Sequence, residues 1–509
     1  MKNNNFRLSG AGKLAASLAI ILASLGSAYA GEIVAANGAN GPGVSTAGNG
    51  AQVVNIVTPN DHGLSHNQYQ DFNVNQPGAV LNNSLDAGRS QLAGQLAANP
   101  NLNNQAASVI LNEVISRNPS LLHGQQEIFG MAADYVLANP NGISCDGCGF
   151  INTSRSSLVV GNPLVENGML QGYSTLGNRN TLSLDGRLNA SGVLDLIAPR
   201  INSRGEVIVA PLYDKKSDKM ISAINAISGN NRVSHDAQVL SSEQPELTVW
   251  DQLLGTTDSY YLGSMQAGRI NIIHTVTGSG VKLAGKLDGS DEIRVKAYNI
   301  RTDSQVNDSS SNRNSGENYQ NYRGGIYIND RSTGQQLART ELKGKNISLV
   351  ADNSNHLTAT DVRGEEITLQ GASLTLDGRQ LKQTQGHTDE RWFYSWKYNV
   401  TRENEKLQQA TSNIEATKNV TLTATEQDVT LRGAKVSAGN ALSIDAKRDV
   451  QLSGLIEREK TSERGNQRNH TPSLRTGSWS NSNETESLKS SSVFSGGDLA
   501  IKAGNRVVG

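Results

Sequence analysis

The residues with the clearest chemical potential are two cysteines, Cys145 and Cys148, in the sequence Cys-Asp-Gly-Cys. Such a pair can do dithiol redox chemistry, supply half of a zinc site or close a disulfide. The redox interpretation needs an opening helix, whereas Gly149 and the strand-like Phe150-Ile151 follow here. No nearby His or Cys supplies the other two zinc ligands. In an exported chain the pattern favours a disulfide that fixes one turn and contributes about 2 kcal/mol, with redox and metal as the alternatives.

Catalytic and metal-binding groupings do not rise above background in this sequence. His62 and His66 stand four residues apart, as metal ligands on a helix would, but Gly63 and Pro59-Asn60 predict a turn there. The eight His residues are scattered and Ser is abundant, so no Ser/His/Asp grouping can be chosen without arbitrary selection. The glycines within residues 38–50 neither follow a strand nor open a helix, as a phosphate cradle would require. We therefore expect no enzymatic activity, no cofactor and no metal.

Two related motifs, Asn99-Pro100-Asn101 and Asn139-Pro140-Asn141-Gly142, each predict a β-turn. Asn suits the first position of such a turn, and Pro brings its preset φ to the second. One interpretation is a structural corner whose Asn side chain caps the turn. The other is a rigid exposed corner that a secretion partner recognises. If the role is only structural, Asn139→Ser or Asn139→Asp should be nearly silent, because either residue can begin a type I turn.

Export is predicted by the first thirty residues. Three basic residues precede an apolar stretch at residues 14–25, and Ala28-Tyr29-Ala30 then gives the small-x-small pattern that a signal peptidase cuts. The apolar part is too short to span a bilayer, and no second run of about 18 apolar residues follows. Residues 1–30 are therefore predicted to be a signal peptide, and the chain from Gly31 onward is predicted to be secreted.

Composition favours a repeat architecture for the exported part. Of 509 residues, 36% are hydrophobic and 5% aromatic, which is little material for one large core. A solenoid avoids that need, because each coil buries a narrow apolar face against the next. The formal net charge of -1 argues against nucleic acid or an acidic membrane surface as a partner.

The elements that position these motifs follow from internal repeats. Residues 340–349 return as residues 360–369 with matching residue types, and residues 428–433 return as residues 449–454. A period near twenty indicates one solenoid turn per repeat, with parallel strands stacked about 4.8 Å apart. If most of the exported chain followed this period, about 23 turns would make a rod on the order of 110 Å long.

Some segments depart from the repeat. Residues 303–323, 391–409 and 459–492 are predicted to leave the solenoid as loops or hairpins. The second contains the aromatic run Trp392-Phe393-Tyr394-Ser395-Trp396-Lys397-Tyr398, which could contact lipid or a receptor, or form a small core packed on the side of the solenoid. Residues 104–115 have apolar spacing that also fits one face of a short helix.

Several ordered motifs resemble the haemagglutination-activity domain that opens two-partner-secretion exoproteins. They are Asn67-Gln68-Tyr69-Gln70-Asp71-Phe72-Asn73-Val74, the two Asn-Pro-Asn motifs, Cys145-Asp146-Gly147-Cys148-Gly149-Phe150-Ile151-Asn152 and Leu158-Val159-Val160-Gly161-Asn162-Pro163. The resemblance implies an all-β fold, a right-handed parallel β-helix with extra-helical strands and hairpins. It also implies recognition by the periplasmic domains of a dedicated outer-membrane transporter, and by analogy it makes residues 104–115 a strand.

The aromatic segment and Gly477-Ser478-Trp479-Ser480-Asn481-Ser482 resemble the ShlA/HpmA-type haemolysins in particular. The resemblance implies that the transporter both exports and activates the toxin, with phosphatidylethanolamine involved in activation and a target-cell membrane as the site of lysis. By motif match, secretion and activation roles fall on Asn67, Tyr69, Phe72, Asn99, Pro100, Asn101, Asn139, Pro140, Asn141 and Gly142.

The resemblance also sets the expected organisation. Residues 31–265 would form the secretion and activation domain, with its haemagglutination-activity core at about residues 50–175, and residues 266–509 would form a haemagglutinin-type repeat helix. Because these haemolysins are longer than this chain, we expect a fragment that stops inside a repeat and self-associates through its open solenoid end. The alternative is the same region of a contact-dependent inhibition toxin or a filamentous adhesin.

Overall fold

The structure, a computed structural model, describes residues 31–320, 323–468 and 476–509. The signal peptide predicted for residues 1–30 lies outside these ranges. In the described part, the regular elements are β-strands apart from one short helix, Val249–Leu254. The prediction of an all-β fold is confirmed, while the helix was not anticipated.

The strands wind into a coil with three sides, and on each side a strand pairs in parallel with the strands one turn before and after it. The first side contains Gln52–Asn55, Ala79–Asn83, Gln125–Gly130, Gly149–Ile151, Glu206–Ala210, Lys435–Ala438 and Ser492–Ser495. The second side contains Leu64–Asp71, Val109–Val114, Ala133–Ala138, Thr153–Val159, Lys219–Ser228, Leu442–Ala446 and Leu499–Ala503.

The third side of the coil is built in the same way from shorter strands. It contains Ser120–Leu122, Ile143–Cys145, Thr181–Leu184, Arg200–Ser203, Ser259–Tyr261, Gly280–Leu283, Ser373–Asp377, Val429–Arg432, Asp449–Ser453 and Arg506–Val508. Longer strands turn a corner and contribute to two or three sides: Leu188–Ala198, Ser264–His274, Lys286–Asp303, Thr340–Thr358, Thr360–Gly371 and Asn413–Ala424. The chain is therefore a parallel β-helix.

The sequence repeats correspond to the strand register. Leu342 lies opposite Val362, and Leu349 lies opposite Leu369, so the twenty-residue repeat is one turn of the coil. Val429 lies opposite Val450 in the same way for the repeat of twenty-one residues. Strand Val109–Val114 confirms the strand assignment made by analogy for residues 104–115.

The core is a column of apolar side chains inside the coil. Leu342, Val362, Ile414 and Val436 follow one another on the first side, each no more than 1% exposed. Burying a side chain of this size stabilises the fold by roughly 1.5–3 kcal/mol. Because these side chains pack against those of the turns before and after, each turn is held mainly by its two neighbours.

The edge of the first turn is covered by antiparallel strands. Gly43–Thr46 pairs with Gln52–Asn55, and Val34–Ala35 pairs with Leu64–Asp71. Antiparallel pairing there occupies backbone groups that would otherwise offer an open edge to another chain.

Other strands lie outside the coil, as the resemblance implies. Asn162–Glu166, Met169–Ser174, Asn230–Ser234 and Val239–Glu243 form a four-stranded sheet, whose Tyr173 and Val233 pack on the outer surface of the second side. Smaller additions are the hairpin of Gly88–Ser90 with Gly94–Leu96, and Leu212–Asp214 beside Lys219–Ser228.

The three predicted excursions form one antiparallel sheet, called the fin below. Its strands are Gln305–Tyr319, Gly324–Ala338, Arg379–Phe393, Trp396–Ala410, Leu455–Arg468 and Gly477–Lys489. The strand pair that starts the fin extends to Ala338, beyond the predicted limit at residue 323. The aromatic residues lie at the end of the fin away from the coil, so the interpretation as a small core packed on the side of the solenoid is wrong.

The coil is shorter than the period alone predicted. The strands of the third side amount to about 12 turns, or on the order of 60 Å at 4.8 Å per turn, about half of the predicted rod. The difference arises because the fin and the other strands outside the coil consume much of the chain.

Candidate functional site

The second Asn-Pro-Asn motif is a buried corner between the second and third sides. The Gly142 amide donates to the Asn139 carbonyl at 3.3 Å, which closes the predicted turn. The Asn141 amide donates to Asn139 Oδ1 at 3.0 Å, so the Asn139 side chain caps the turn as expected. Asn139 Nδ2 donates to the Asn118 carbonyl and to Ser120 Oγ, both at 2.9 Å and both in the preceding turn. The corner therefore joins two turns of the coil.

The first motif has the same geometry at a different corner. Asn101 N donates to Asn99 Oδ1 at 3.0 Å, and Asn99 Nδ2 donates to the carbonyls of Ile56 and Asn82 at 3.0 and 2.8 Å. The Asn101 side chain also donates to the Ile56 carbonyl at 3.1 Å. Pro100 is exposed on the outside of the turn. Both motifs thus use the Asn oxygen within the turn and the Asn nitrogen to hold neighbouring segments.

A third corner, not predicted from the sequence, stacks on the second. Asn178 Oδ1 accepts from the Asn180 amide at 2.9 Å, and the Nδ2 atoms of Asn178 and Asn180 both donate to the Pro140 carbonyl at 2.8 Å. Its sequence signal is the Asn-x-Asn spacing alone, because Arg179 stands where the other two corners have a proline.

The remaining motif residues lie inside the first turns. Asn67 Oδ1 accepts from the Val57 amide at 2.9 Å, and the Tyr69 hydroxyl donates to Asn112 Oδ1 at 2.9 Å. Tyr69 and Phe72 are fully buried and meet edge to face, with ring centroids 4.9 Å apart. Burial raises the pKa of Tyr69 well above its ordinary value, so the hydroxyl stays a neutral donor. These side chains hold the capped end of the helix together.

Cys145 and Cys148 are joined by a disulfide, with Cα atoms 5.5 Å apart and both side chains buried. Cys145 ends the strand Ile143–Cys145 of the third side, and the exposed Asp146 and Gly147 form the loop that the bridge closes. The bridge therefore fixes the corner that follows the Asn139 turn.

The turn predicted around His62 and His66 holds only the first of them. His66 lies in strand Leu64–Asp71, and its Nε2 is 2.7 Å from Glu113 of the next turn. Within the described residues, no group of three or more His, Cys, Asp or Glu side chains is arranged to hold a metal ion. Among the same residues, no helix is long and apolar enough to cross a membrane.

Burial of Asn139 changes the meaning of its substitutions. Its side chain is fully buried and its nitrogen donates two hydrogen bonds. An Asp carboxylate would place oxygen against the Asn118 carbonyl and could donate neither bond. The expectation that Asn139→Asp would be nearly silent for a structural corner is therefore wrong, because the turn is only part of what the side chain holds.

A capped parallel β-helix with buried, amide-linked corners and a projecting fin defines the class of protein, a β-solenoid with extra-helical strands. The TPS secretion domain family, that of two-partner secretion, matches residues 32–307, and the chain belongs to it. The hemagglutinin repeat family matches residues 394–508. The predicted boundary after residue 265 lies inside the strand Ser264–His274, and the first match continues past it. The protein is secreted across the outer membrane to the cell surface or beyond.

Two haemolysins are similar along the whole chain. The hemolysin of Serratia marcescens is 72% identical over 507 residues, and that of Proteus mirabilis is 58% identical over 504 residues. These alignments cover 100% and 99% of this chain but 31% of each relative. The chain thus spans about a third of the length of these relatives. A tRNA nuclease CdiA of Yersinia mollaretii is 38% identical over 47% of this chain and 8% of its own length.

Among solved structures, the filamentous hemagglutinin secretion domain aligns over 94% of this chain and 100% of its own, with 20% identity and a TM-score of 0.39. The HMW1 secretion domain from Haemophilus influenzae aligns over 82% of this chain and 93% of its own, with 14% identity and a TM-score of 0.35.

Proposed function

We propose that this chain is the secretion and activation region of a two-partner-secretion haemolysin, and that it acts through recognition and folding without catalysis. The observation that carries the proposal is the burial of Asn139 against Asn118 and Ser120. In the folded coil no transporter can reach this side chain. The periplasmic domains of the outer-membrane transporter would therefore recognise the Asn-Pro-Asn motifs in the unfolded chain. The same residues then become corners as the coil forms outside the cell.

Lysis of a target cell is proposed for the longer protein to which this region belongs. Two relatives named hemolysin match the whole chain at 72% and 58% identity, which supports this assignment. The target-cell membrane and phosphatidylethanolamine are the proposed partners in lysis and activation. A contact-dependent inhibition toxin or a filamentous adhesin is the second candidate, supported by the CdiA relative, but that match covers only 47% of the chain.

The experiment compares secretion with stability for variants of the stacked corners that contain Asn139 and Asn178. Asn139→Ser and Asn139→Asp change the motif itself. Ser120→Ala and Asn178→Ala weaken the same stacked corners but leave the Asn-Pro-Asn motif unchanged. Each purified chain is unfolded in urea, and the amount secreted and its lytic activity are measured in cells that carry the transporter and the full-length protein. If the motif is recognised while unfolded, the Asn139 variants should be secreted at least tenfold less than control variants of equal stability.

Secretion that follows stability along a single line for all four variants would contradict recognition of the motif. The corner would then act only through folding. Secretion that is normal for all four, with lytic activity lost only in the Asn139 variants, would place their role in activation.

Self-association is a further proposed property. The last described strands of the three sides, Ser492–Ser495, Leu499–Ala503 and Arg506–Val508, pair with the preceding turn, and no other described strand covers their second edge. Phe494 there is 64% exposed. We propose that a second copy pairs with this edge. Sedimentation that shows only monomers at high concentration would contradict the idea.

A further inference from the structure

The aromatic residues of the fin are confined to one end of its strands. Every Trp, Phe and Tyr in its described strands and turns lies near the turns farthest from the coil: Tyr319, Tyr327, Trp392, Phe393, Tyr394, Trp396, Tyr398 and Trp479. They include three of the chain's four Trp residues. No aromatic residue lies at the ends of the described fin strands next to the coil, and strands of 15 residues carry the aromatic end about 50 Å away from the coil.

Several of these rings form one surface at the distal end. Phe393 lies opposite Trp396, and the Trp396 ring stacks on Tyr398 with centroids 5.9 Å apart. Tyr398 and Trp479 have centroids 6.1 Å apart. Trp479 lies across Gly465 of the neighbouring strand, where a Cβ atom would come within 2.1 Å of the indole ring. The glycine therefore has a packing role, which is to let the ring lie flat on the sheet.

The same end of the fin exposes these rings to water. Phe393 is 50% exposed, and Tyr394 in the turn is 61% exposed. Tyr319 and Tyr327 on the adjacent hairpin are 43% and 36% exposed. Indole and phenol rings combine apolar area with a polar group, which is why Trp and Tyr concentrate at the level of lipid headgroups. A fin whose aromatic rings are confined to its tip therefore has the side chains suited to a bilayer interface at the end that can reach one.

Two cations on the opposite surface of the fin tip give an independent indication. Lys397 and Arg468 lie directly opposite each other on adjacent strands. Like charges in this arrangement repel, and neither residue has an ion-pair partner in the described part of the chain. An anion between them would relieve that repulsion. Trp392 lies on the other side of Lys397, so the anion would sit beside an aromatic ring.

We propose that the fin tip docks on a phospholipid bilayer, with its aromatic rings in the headgroup region and Lys397 and Arg468 bound to lipid phosphate. The rings supply most of the binding, so a zwitterionic bilayer is sufficient, in keeping with a chain whose net charge is close to zero. The inference rests on the proposed function only in that it names the chain's contact with a target membrane. The docking itself requires neither export nor lysis.

The test measures binding of the purified chain, residues 31–509, to phosphatidylcholine vesicles by flotation. The tip variant is Phe393→Ser with Tyr394→Ser, and a second variant is Lys397→Ser with Arg468→Ser. The matched control is Trp250→Ser with Leu253→Ser, which removes two side chains of the short helix that are 68% and 72% exposed. We expect the tip variant to bind at least tenfold more weakly, the cation variant a few-fold more weakly, and the control as the parent chain does.

Absence of vesicle binding by the parent chain overturns the proposal, as does an equal loss in the tip variant and the control, which would indicate nonspecific hydrophobic adsorption. Binding to cells but not to vesicles, lost when the cells are treated with protease, overturns it in favour of a protein receptor. Circular dichroism verifies the fold of each variant. In parent chain with Trp250→Phe, quenching of the remaining Trp fluorescence by brominated lipid gives a second readout that needs no tip substitution. Secretion is measured separately, so failure of the proposed export role would leave this result unaffected.

Discussion

The side chain of Asn178 donates a hydrogen bond to the carbonyl oxygen of Pro140 at 2.8 Å, across two successive turns of the coil. Pro140 is the second of the four residues of the Asn139 turn, and the bond that closes this turn ends on the Asn139 carbonyl, which leaves the Pro140 carbonyl available to another turn. The Asn180 side chain donates to the same oxygen. The corners are therefore joined by hydrogen bonds from side-chain amides, whereas the parallel strands on either side of them are joined by backbone hydrogen bonds.

Asn178→Ala should lower the free energy of unfolding by about 1–3 kcal/mol, because it removes donors to the Pro140 and Val160 carbonyls at a partly buried site. Asn180→Ala is the matched control. It removes an exposed side chain that contributes a second bond to the same oxygen, and should cost less than 1 kcal/mol. Urea unfolding measures the free energy of both variants. Equal losses would show that the Asn178 bonds do not hold the stacked corners together.

The disulfide should be dispensable for the fold. Closing a loop of about four residues contributes only about 2 kcal/mol by the chain-entropy argument. Cys145→Ala with Cys148→Ala isolates that contribution, whereas the double Ser variant also buries two hydroxyls and should be less stable. We expect both double variants to be secreted. Loss of secretion in the Ala variant, measured in culture supernatant, would show a larger role for the bridge.

The sequence predicts those features of the fold that repeat. Leu342 and Val362 stand one period apart and lie side by side, since a solenoid converts sequence period directly into register. The fin could be predicted only as a set of interruptions, because antiparallel pairing between residues as distant as Lys397 and Arg468 leaves no period in the sequence. The helix Val249–Leu254 is a single turn and a half, too short for its periodicity to stand out.

The turns of the candidate site were predicted from the sequence. The directions in which its side chains point were not. Asn-Pro-Asn identifies a turn and its internal cap, which depend on neighbours in sequence. The bonds from Asn139 to Ser120 and from Asn178 to Pro140 depend on which turn stacks on which. That information is tertiary, and so the burial of Asn139 could not be inferred from the motif.

Asp195 should be a main determinant of stability on the second side. It is fully buried and accepts hydrogen bonds from Arg155, Ser157 and Asn225. Asp195→Asn leaves the Arg155 guanidinium, only 17% exposed, without its counter-ion, and should cost about 3 kcal/mol. The exposed pair Arg187 and Glu206 is the control, since Glu206→Gln should change stability by less than 1 kcal/mol. Similar urea midpoints for the two variants would argue against this assignment.

His274 should make the coil less stable in mild acid. Burial lowers the pKa of His274 to about 4, although the nearby Asp258 acts in the opposite direction. In the unfolded chain His titrates near 6.5, so between about pH 6.5 and 4 the unfolded state binds more protons than the folded state. Stability therefore rises with pH across this window. The contribution of His274 to the free energy of unfolding is fully present above the window and falls by up to about 1.4 kcal/mol per pH unit on acidification within it.

The measurement compares urea unfolding of the parent chain and of His274→Gln from pH 7 to 4.5. Gln can still bond to one of the serines that flank the ring, Ser228 Oγ at 2.7 Å and Ser279 Oγ at 3.0 Å, but it does not titrate. We expect the variant to be less stable at pH 7 and to lose less stability on acidification, so that the two chains converge by about 3 kcal/mol at most. The carboxylates, Asp258 included, are the same in both chains, and the comparison therefore isolates the histidine. Parallel pH profiles would mean that His274 is protonated to the same extent in the folded and the unfolded chain. The loss of stability in acid would then come from other groups.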